Sequence, residues 1–357
     1  MKDIELISKL TEGFGPPGFE EEIVDIIIKE MDGFRYEVDQ MNNLYIYHPM
    51  NKPDQPTIML DAHTDEVGFM VHSINDNGTL NFINLGGWVP TNIPAHEVWI
   101  KDSKGRKHLG ITTSTPPHFM TQEQKDNSKL SIEAMTIDLG TSSKKETEEI
   151  FEIQIGDPVA PKVSFSFNES TGTMLSKALD NRLGCAAVIE ILKALKDVDT
   201  GFNIVGAFAT QEEMGLRGAA VTSETIKPDY AIVFEGTPAD DLNVSASLAQ
   251  AILNKGTQIR HLDSSYLANR RFVDFAKEIA ESHNIKYQSA VRRGGGTNAG
   301  RIHLAGKAVP VLVMGVPSRF IHTHYGYASI NDFRSTVNLG MELLKNFDPE
   351  RMQYKFK

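Results

Sequence analysis

The chain has 357 residues, enough for two domains and a substantial core, and no apolar run reaches membrane-spanning length. A formal net charge of -11, from 36 Lys and Arg against 47 Asp and Glu, argues against a nucleic-acid groove or an anionic membrane surface as the main partner. Its 1 cysteine, Cys185, permits no intrachain disulfide and lies in the apolar stretch Leu183 to Ile191, where a buried structural thiol is expected rather than a nucleophile.

In chain order, Met1-Lys2-Asp3-Ile4-Glu5 carries acids where a secretory leader would carry positive charge and then an apolar run, so a cytoplasmic protein is expected. Ile4 to Leu10 reads as a short helix, broken at Gly13-Phe14-Gly15-Pro16-Pro17-Gly18, and Glu20 to Met31 as a second helix. Leu44 to Tyr47 and Thr57 to Leu60 follow as strands, the second leading into Asp61-Ala62-His63-Thr64-Asp65-Glu66. Alternating helical and strand patterns mark an α/β domain.

From about Val67 to Phe167 the texture changes. Short alternating stretches at Phe69 to Ile74, Leu80 to Asn84, Glu97 to Lys101 and Ile132 to Ile137 are separated by Asn77-Gly78, Gly86-Gly87, Ser103-Lys104-Gly105 and Gly156-Asp157-Pro158. This predicts an inserted small β-barrel over 67–167, dividing a catalytic domain made of 1–66 and 168–357. The charged run Lys144 to Glu149 reads as a solvated helix or loop.

After Ser176 the α/β texture returns. Leu183, Ala187, Val188, Ile191, Leu192 and Leu195 form a helical stripe that begins just after Asp180. Asn203 to Phe208, Tyr230 to Phe234 and Val309 to Met314 are strand candidates, and Tyr266 to Glu281 a helix.

Against that outline, His63, the pair Glu212-Glu213, Glu235 and His322 each follow an apolar strand. In open α/β sheets ligands bind at the carboxyl ends of the strands, so separate strands deliver these groups to one edge. Taken singly, each has a plain structural reading: a core or surface histidine, a solvated helix start, a helix cap at Asp180, a turn at Glu235. Their joint placement points instead to a dinuclear metal site.

Asp180 is the natural bridging carboxylate, just before a helix whose amino-terminal dipole favours negative charge. His63 and Glu235 would complete one divalent metal, Glu213 and His322 the other. The mixed imidazole and carboxylate set suits zinc, cobalt or manganese. Glu212, adjacent to a ligand and not needed as one, is the candidate general base, and Asp65 is placed to accept the other ring N–H of His63.

The Gly13 to Gly18 loop, Asp61 to Gly68, Lys177 to Arg182, Gln211-Glu212-Glu213-Met214-Gly215 and Pro317-Ser318-Arg319-Phe320-Ile321-His322, in this order, resemble the glutamyl aminopeptidase family of co-catalytic metallopeptidases. That group includes the tetrahedral (TET) aminopeptidases and some members labelled endoglucanase or cellulase. The resemblance implies an α/β/α sandwich with a mixed central sheet, two metals on the five ligands named above, Glu212 as base and short peptides as substrates. It further implies a homo-oligomer built through the β insertion, commonly a dodecameric tetrahedral cage with the active sites inside.

Two positions depart from the family pattern. Glu235 stands where Asp is usual, and Gly296-Thr297-Asn298-Ala299 carries Asn298 where the family often has Asp. His322-Thr323-His324 offers two histidines, of which the resemblance selects His322, leaving His324 a supporting or surface role. His118, in Pro116-Pro117-His118, is expected in a loop or subunit contact.

Arg292-Arg293, ahead of Gly294-Gly295-Gly296, could grip a carboxylate, so a dinuclear carboxypeptidase or N-deacylase is the alternative. Pairing of these arginines with surface acids is the plainer reading. A glycosidase would need its two carboxyl groups flanking a glycosidic bond, whereas the carboxylates here are required around metals.

Overall fold

The structure is a computed structural model that describes residues 2–126 and 130–352. Among these, a mixed sheet of 11 strands forms the frame. At its centre Asn203–Ala209, Thr57–His63, Tyr230–Pro238 and Val311–Arg319 run parallel, in that spatial order. Leu44–Tyr47 joins antiparallel beside Asn203–Ala209, and Thr257–Leu262 and Gly326–Ser329 pair antiparallel with Val311–Arg319.

The central strands are buried on both faces, and that explains their near-continuous apolar composition. Alternate residues serve different layers. Ile58, Leu60, Ile204, Phe208, Ile232 and Phe234 pack with the helices Lys2–Glu12, Leu179–Ala194 and Ile330–Lys345. Their neighbours Met59, Ala207, Ala231 and Val233 face Ala219 of the helix Arg217–Ile226 and Ile302 of the short helix Ala299–Ile302. The result is the α/β/α sandwich with a mixed sheet that the sequence led us to expect.

Gly68–Ile74, Leu80–Leu85, Thr136–Asp138, Lys107–Thr113, Glu97–Lys101 and Pro158–Pro161 close, in that order, into a barrel. Phe69, Val71, Leu80, Phe82, Val98, Ile100, Ile137 and Val159 fill it. Every strand of the ring has two paired neighbours, although Leu80–Leu85 meets Thr136–Asp138 only at Leu80 and Ile137. The expected strand Ile132 to Ile137 divides instead into a 3-10 turn, Ile132–Ala134, and the short strand Thr136–Asp138. Lys144–Glu149 is a helix, with the Ser143 hydroxyl accepting from the Glu146 amide at its start.

The helix read from Tyr266 begins later, at Arg270, because the Asn269 side chain accepts from the Arg271 and Phe272 amides and caps it there. Tyr266 is buried, and its hydroxyl donates to the Val311 carbonyl. Its apolar character belongs to the sheet layer rather than to the helix stripe. Among the described residues no helix is long and apolar enough to cross a membrane.

Candidate active site

The parallel strands end together, so the polar groups that follow them share one edge of the sheet. His63 is the last residue of its strand and pairs in register with Ala209, four positions before Glu213. Glu235 lies within Tyr230–Pro238 rather than after it, and His322 sits in the loop beyond Arg319 at a φ of 61°. Asp180 and Asn181 precede the regular turns of the helix and depart from helical φ/ψ, which frees the Asp180 carboxylate from the helix barrel.

His63 Nε2 lies 3.2 Å from Asp180 Oδ1, 3.7 Å from Glu235 Oε2 and 3.9 Å from Glu212 Oε2. His322 Nε2 lies 3.6 Å from Asp180 Oδ2 and 3.3 Å from Glu213 Oε1. The two oxygens of Asp180 therefore face different histidines. Potential ligand atoms of His63, Asp180 and Glu235 fall within 4.8 Å of one another, as do those of Asp180, Glu213 and His322, and those of His63, Glu212 and Glu213.

Asp65 touches more than its histidine. Its Oδ1 is 3.3 Å from His63 Nδ1 and accepts from the Glu212 amide at 2.9 Å, while its Oδ2 accepts from the Glu213 amide at 3.0 Å. Asp65 thus holds the His63 ring, through its main-chain carbonyl at 3.2 Å as well as its carboxylate, and two successive backbone amides.

The electrostatics follow from crowding acids out of water. Burial drives Glu212 and Glu235 well above the ordinary carboxylate range, only partly offset by His63. Burial would likewise raise Asp180, but hydrogen bonds from His322 and His63 hold it low. Burial opposes protonation of His322, yet contacts with Asp180 and Glu213 overcome it and raise the ring to about 11.

Asp180, Glu212, Glu213 and Glu235 outnumber the two imidazoles, and Glu235 Oε1 is buried without a hydrogen-bond partner. A surplus of buried carboxylates that face imidazole nitrogens fits divalent cations, whose charge relieves it.

The neighbouring histidines separate cleanly. His324 is buried and turned away from the cluster, its ring stacked on His96 of the barrel at 4.1 Å between centroids. His118 is exposed in the 3-10 turn Pro117–Phe119. A cavity of about 650 Å³ opens beside the cluster, with Arg260, Arg292 and Gly294 to Thr297 on its lining. Arg292 donates from its two terminal nitrogens to Asp240 Oδ2 at 3.1 Å and to the Pro238 carbonyl at 2.6 Å, while its Nε is buried without a partner.

Several contacts around the site were not foreseen in the sequence, although its motifs include most of the residues that make them. Lys177 Nζ contacts Glu66 at 2.5 Å and the Gly13 carbonyl at 2.7 Å, and Arg182 donates to the Leu10 and Gly15 carbonyls at 2.6 and 3.3 Å. Asn298 donates to buried Asp61 at 2.8 Å. Glu20 lies buried near Asp65, and burial, with the Asp65 charge adding, pushes it up to about 8. The motif Lys177 to Arg182 signalled two of these residues, but their partners lie more than a hundred positions away.

An α/β sheet that gathers histidines and carboxylates at its carboxyl edge defines the class, a metal-dependent hydrolase. Within that class the profile of the M42 glutamyl aminopeptidase family matches residues 42–339, and the chain belongs to this family. The TET aminopeptidase from the marine sediment archaeon Thaumarchaeota archaeon SCGC AB-539-E09 superposes with a TM-score of 0.94 at 34% identity, over 98% of each chain. The glutamyl aminopeptidase of Lactococcus lactis is 29% identical over 354 residues, 99% of this chain and 98% of that one. The TET1 peptidase of Pyrococcus horikoshii, described as assembling into a tetrahedron or a large octahedral shell, superposes with a TM-score of 0.86 at 29% identity, over 97% of this chain and 100% of that one. The protein is therefore a metalloaminopeptidase.

Proposed function

We propose that this aminopeptidase cleaves the first residue from short peptides at a dinuclear centre, with His63 and Glu235 on one cation, Glu213 and His322 on the other, and Asp180 between them. The division of the Asp180 oxygens between His63 and His322 carries this reading. When bound, two divalent cations, zinc or cobalt with manganese a third candidate, supply Lewis acidity that polarises the scissile carbonyl and activates water.

The residues of the chain do the rest. Glu212 accepts a proton from the attacking water at a carboxylate oxygen and returns it to the leaving amine. Asp65 fixes the His63 ring and the backbone amides of Glu212 and Glu213, so base and ligands keep one geometry. The acidic cluster attracts the α-ammonium of the substrate and orients the first peptide bond.

Glu212→Gln removes the proton acceptor while keeping the shape of the side chain. It should lower kcat by about 10²- to 10⁴-fold with metal content unchanged. Near wild-type turnover by the metal-loaded variant would refute the assignment.

Residues 67–167 form, in this reading, the inserted domain through which copies associate into a tetrahedral dodecamer, the Pyrococcus horikoshii relative being described as assembling into a tetrahedron or a large octahedral shell. Against the carboxypeptidase or deacylase alternative, both terminal nitrogens of Arg292 already bond to Asp240 and the Pro238 carbonyl.

A further inference from the structure

The turn that carries the base, Thr210 to Glu213, is held from outside at every amide. The Thr210 amide donates to Asn43 Oδ1 at 2.8 Å, the Gln211 amide to Glu20 Oε1 at 3.1 Å, and the Glu212 and Glu213 amides to Asp65 at 2.9 and 3.0 Å. Gln211 sits at a φ of 53°, a left-handed conformation that L side chains rarely adopt, so this turn needs such contacts to persist. Successive N–H groups converging on carboxylates make an anion-binding concavity of the kind backbone nests provide.

Of the three holders, Asn43 fixes the strand end and Asp65 adjoins the ligand His63. Glu20 is different. It is 1% exposed, comes from the far end of the glycine-rich loop, and uses the same oxygen to accept from the Gly18 amide at 2.8 Å. That loop is also tied to the residue after Asp65, through Gly15 N to Glu66 Oε1 at 3.2 Å and Glu66 N to the Gly15 carbonyl at 3.0 Å. Glu20 therefore joins the amino-terminal loop to the turn that presents Glu212.

We propose that Glu20 is a positioning residue for the reaction: its carboxyl oxygen holds the Gln211 amide and thereby sets where Glu212 stands relative to His63, without itself touching substrate or metal. The proposal rests on the reading of Glu212 as general base. It gives the Gly13 to Gly18 motif a function that neither metal ligation nor substrate contact accounts for.

Three variants separate positioning from folding or charge. Glu20→Gln keeps an acceptor oxygen at the same reach; Glu20→Asp keeps the carboxyl but withdraws it by one methylene; Glu20→Ala removes it. Each is measured for kcat and KM on one free peptide, for cobalt or zinc stoichiometry by titration after chelator treatment, and for Tm, with Glu212→Gln as reference.

Positioning predicts that Glu20→Asp and Glu20→Ala lose about tenfold or more in kcat, since sub-ångström misplacement is costly in a catalytic group. KM should stay within about threefold and metal stoichiometry should be unchanged, while Glu20→Gln recovers most of kcat. Wild-type kcat in Glu20→Asp, or a Glu20→Gln as slow as Glu20→Ala, would overturn the proposal. So would a loss of kcat matched by lost metal or by a large fall in Tm in Glu20→Asp. If Glu20→Ala does not fold, the other two variants decide. Full turnover in Glu212→Gln would sink the base assignment itself, whereas an inactive Glu212→Gln beside a fully active Glu20→Asp would sink only the positioning role.

Discussion

Asp180 is the residue on which both proposed metal positions depend, because its two oxygens face His63 and His322 separately. Losing it should weaken both positions, and losing His322 only one. Titration of chelator-stripped protein with cobalt should therefore show Asp180→Asn weakened at both steps, by at least the roughly 10- to 100-fold that supporting residues command. His322→Ala should keep one step near the wild-type affinity. Equal damage at both steps in His322→Ala would contradict the pairing. Glu235 Oε2 reaches to 3.7 Å from His63 Nε2 from within its strand, so the longer side chain brings a carboxylate to the cluster.

At the scale of elements, the strands and the polar residues at their ends were legible because apolar runs with a polar residue at the end state both burial and edge. His63, Asp180, Glu212, Glu213, Glu235 and His322 meet at the carboxyl edge of the sheet. The contacts of Glu20, Asp61 and Arg182 were not legible, since a buried charge shows itself only through its partner, and those partners lie far off in the chain. The glycine loop is a case in point. Lys177 and Glu66, 2% exposed each at the side chain, pair beneath it. Without Lys177 the Glu66 carboxylate keeps only the Gly15 amide and the more distant Arg182 guanidinium, so Lys177→Met should cost about 3 kcal/mol in denaturant unfolding, with a loss below about 1 kcal/mol contradicting the account. The helix Ile330–Lys345 offers a pH test away from the site. Asp332 in its first turn accepts from the Asn254 and Gly256 amides, both at 2.7 Å, yet burial pushes it up to about 6. A carboxyl raised on folding binds its proton more tightly in the folded state, so its contribution is fully present below the unfolded value near 4 and is lost as pH rises towards 6. Tm measured across that window should fall less steeply with pH in Asp332→Asn than in wild type; an unchanged slope would count against it.

For the whole molecule, the sheet supplies the chemistry and the barrel supplies outward apolar surface, with Ile83, Leu109, Ile111 and Ile150 exposed on or beside its strands. Exposed groups of that kind suit contact with further copies. Light scattering should then report a mass about twelve times the 39.6 kDa of the chain, and a monomer at micromolar concentration would contradict the assembly. The most direct test of the whole account is hydrolysis of one short peptide, free and N-acetylated, by protein stripped with chelator and then resupplied with zinc or cobalt. The account predicts no cleavage when stripped, and release of the first residue from the free peptide alone when metal is restored. Cleavage of the acetylated peptide at a comparable rate, or undiminished activity without metal, would contradict it.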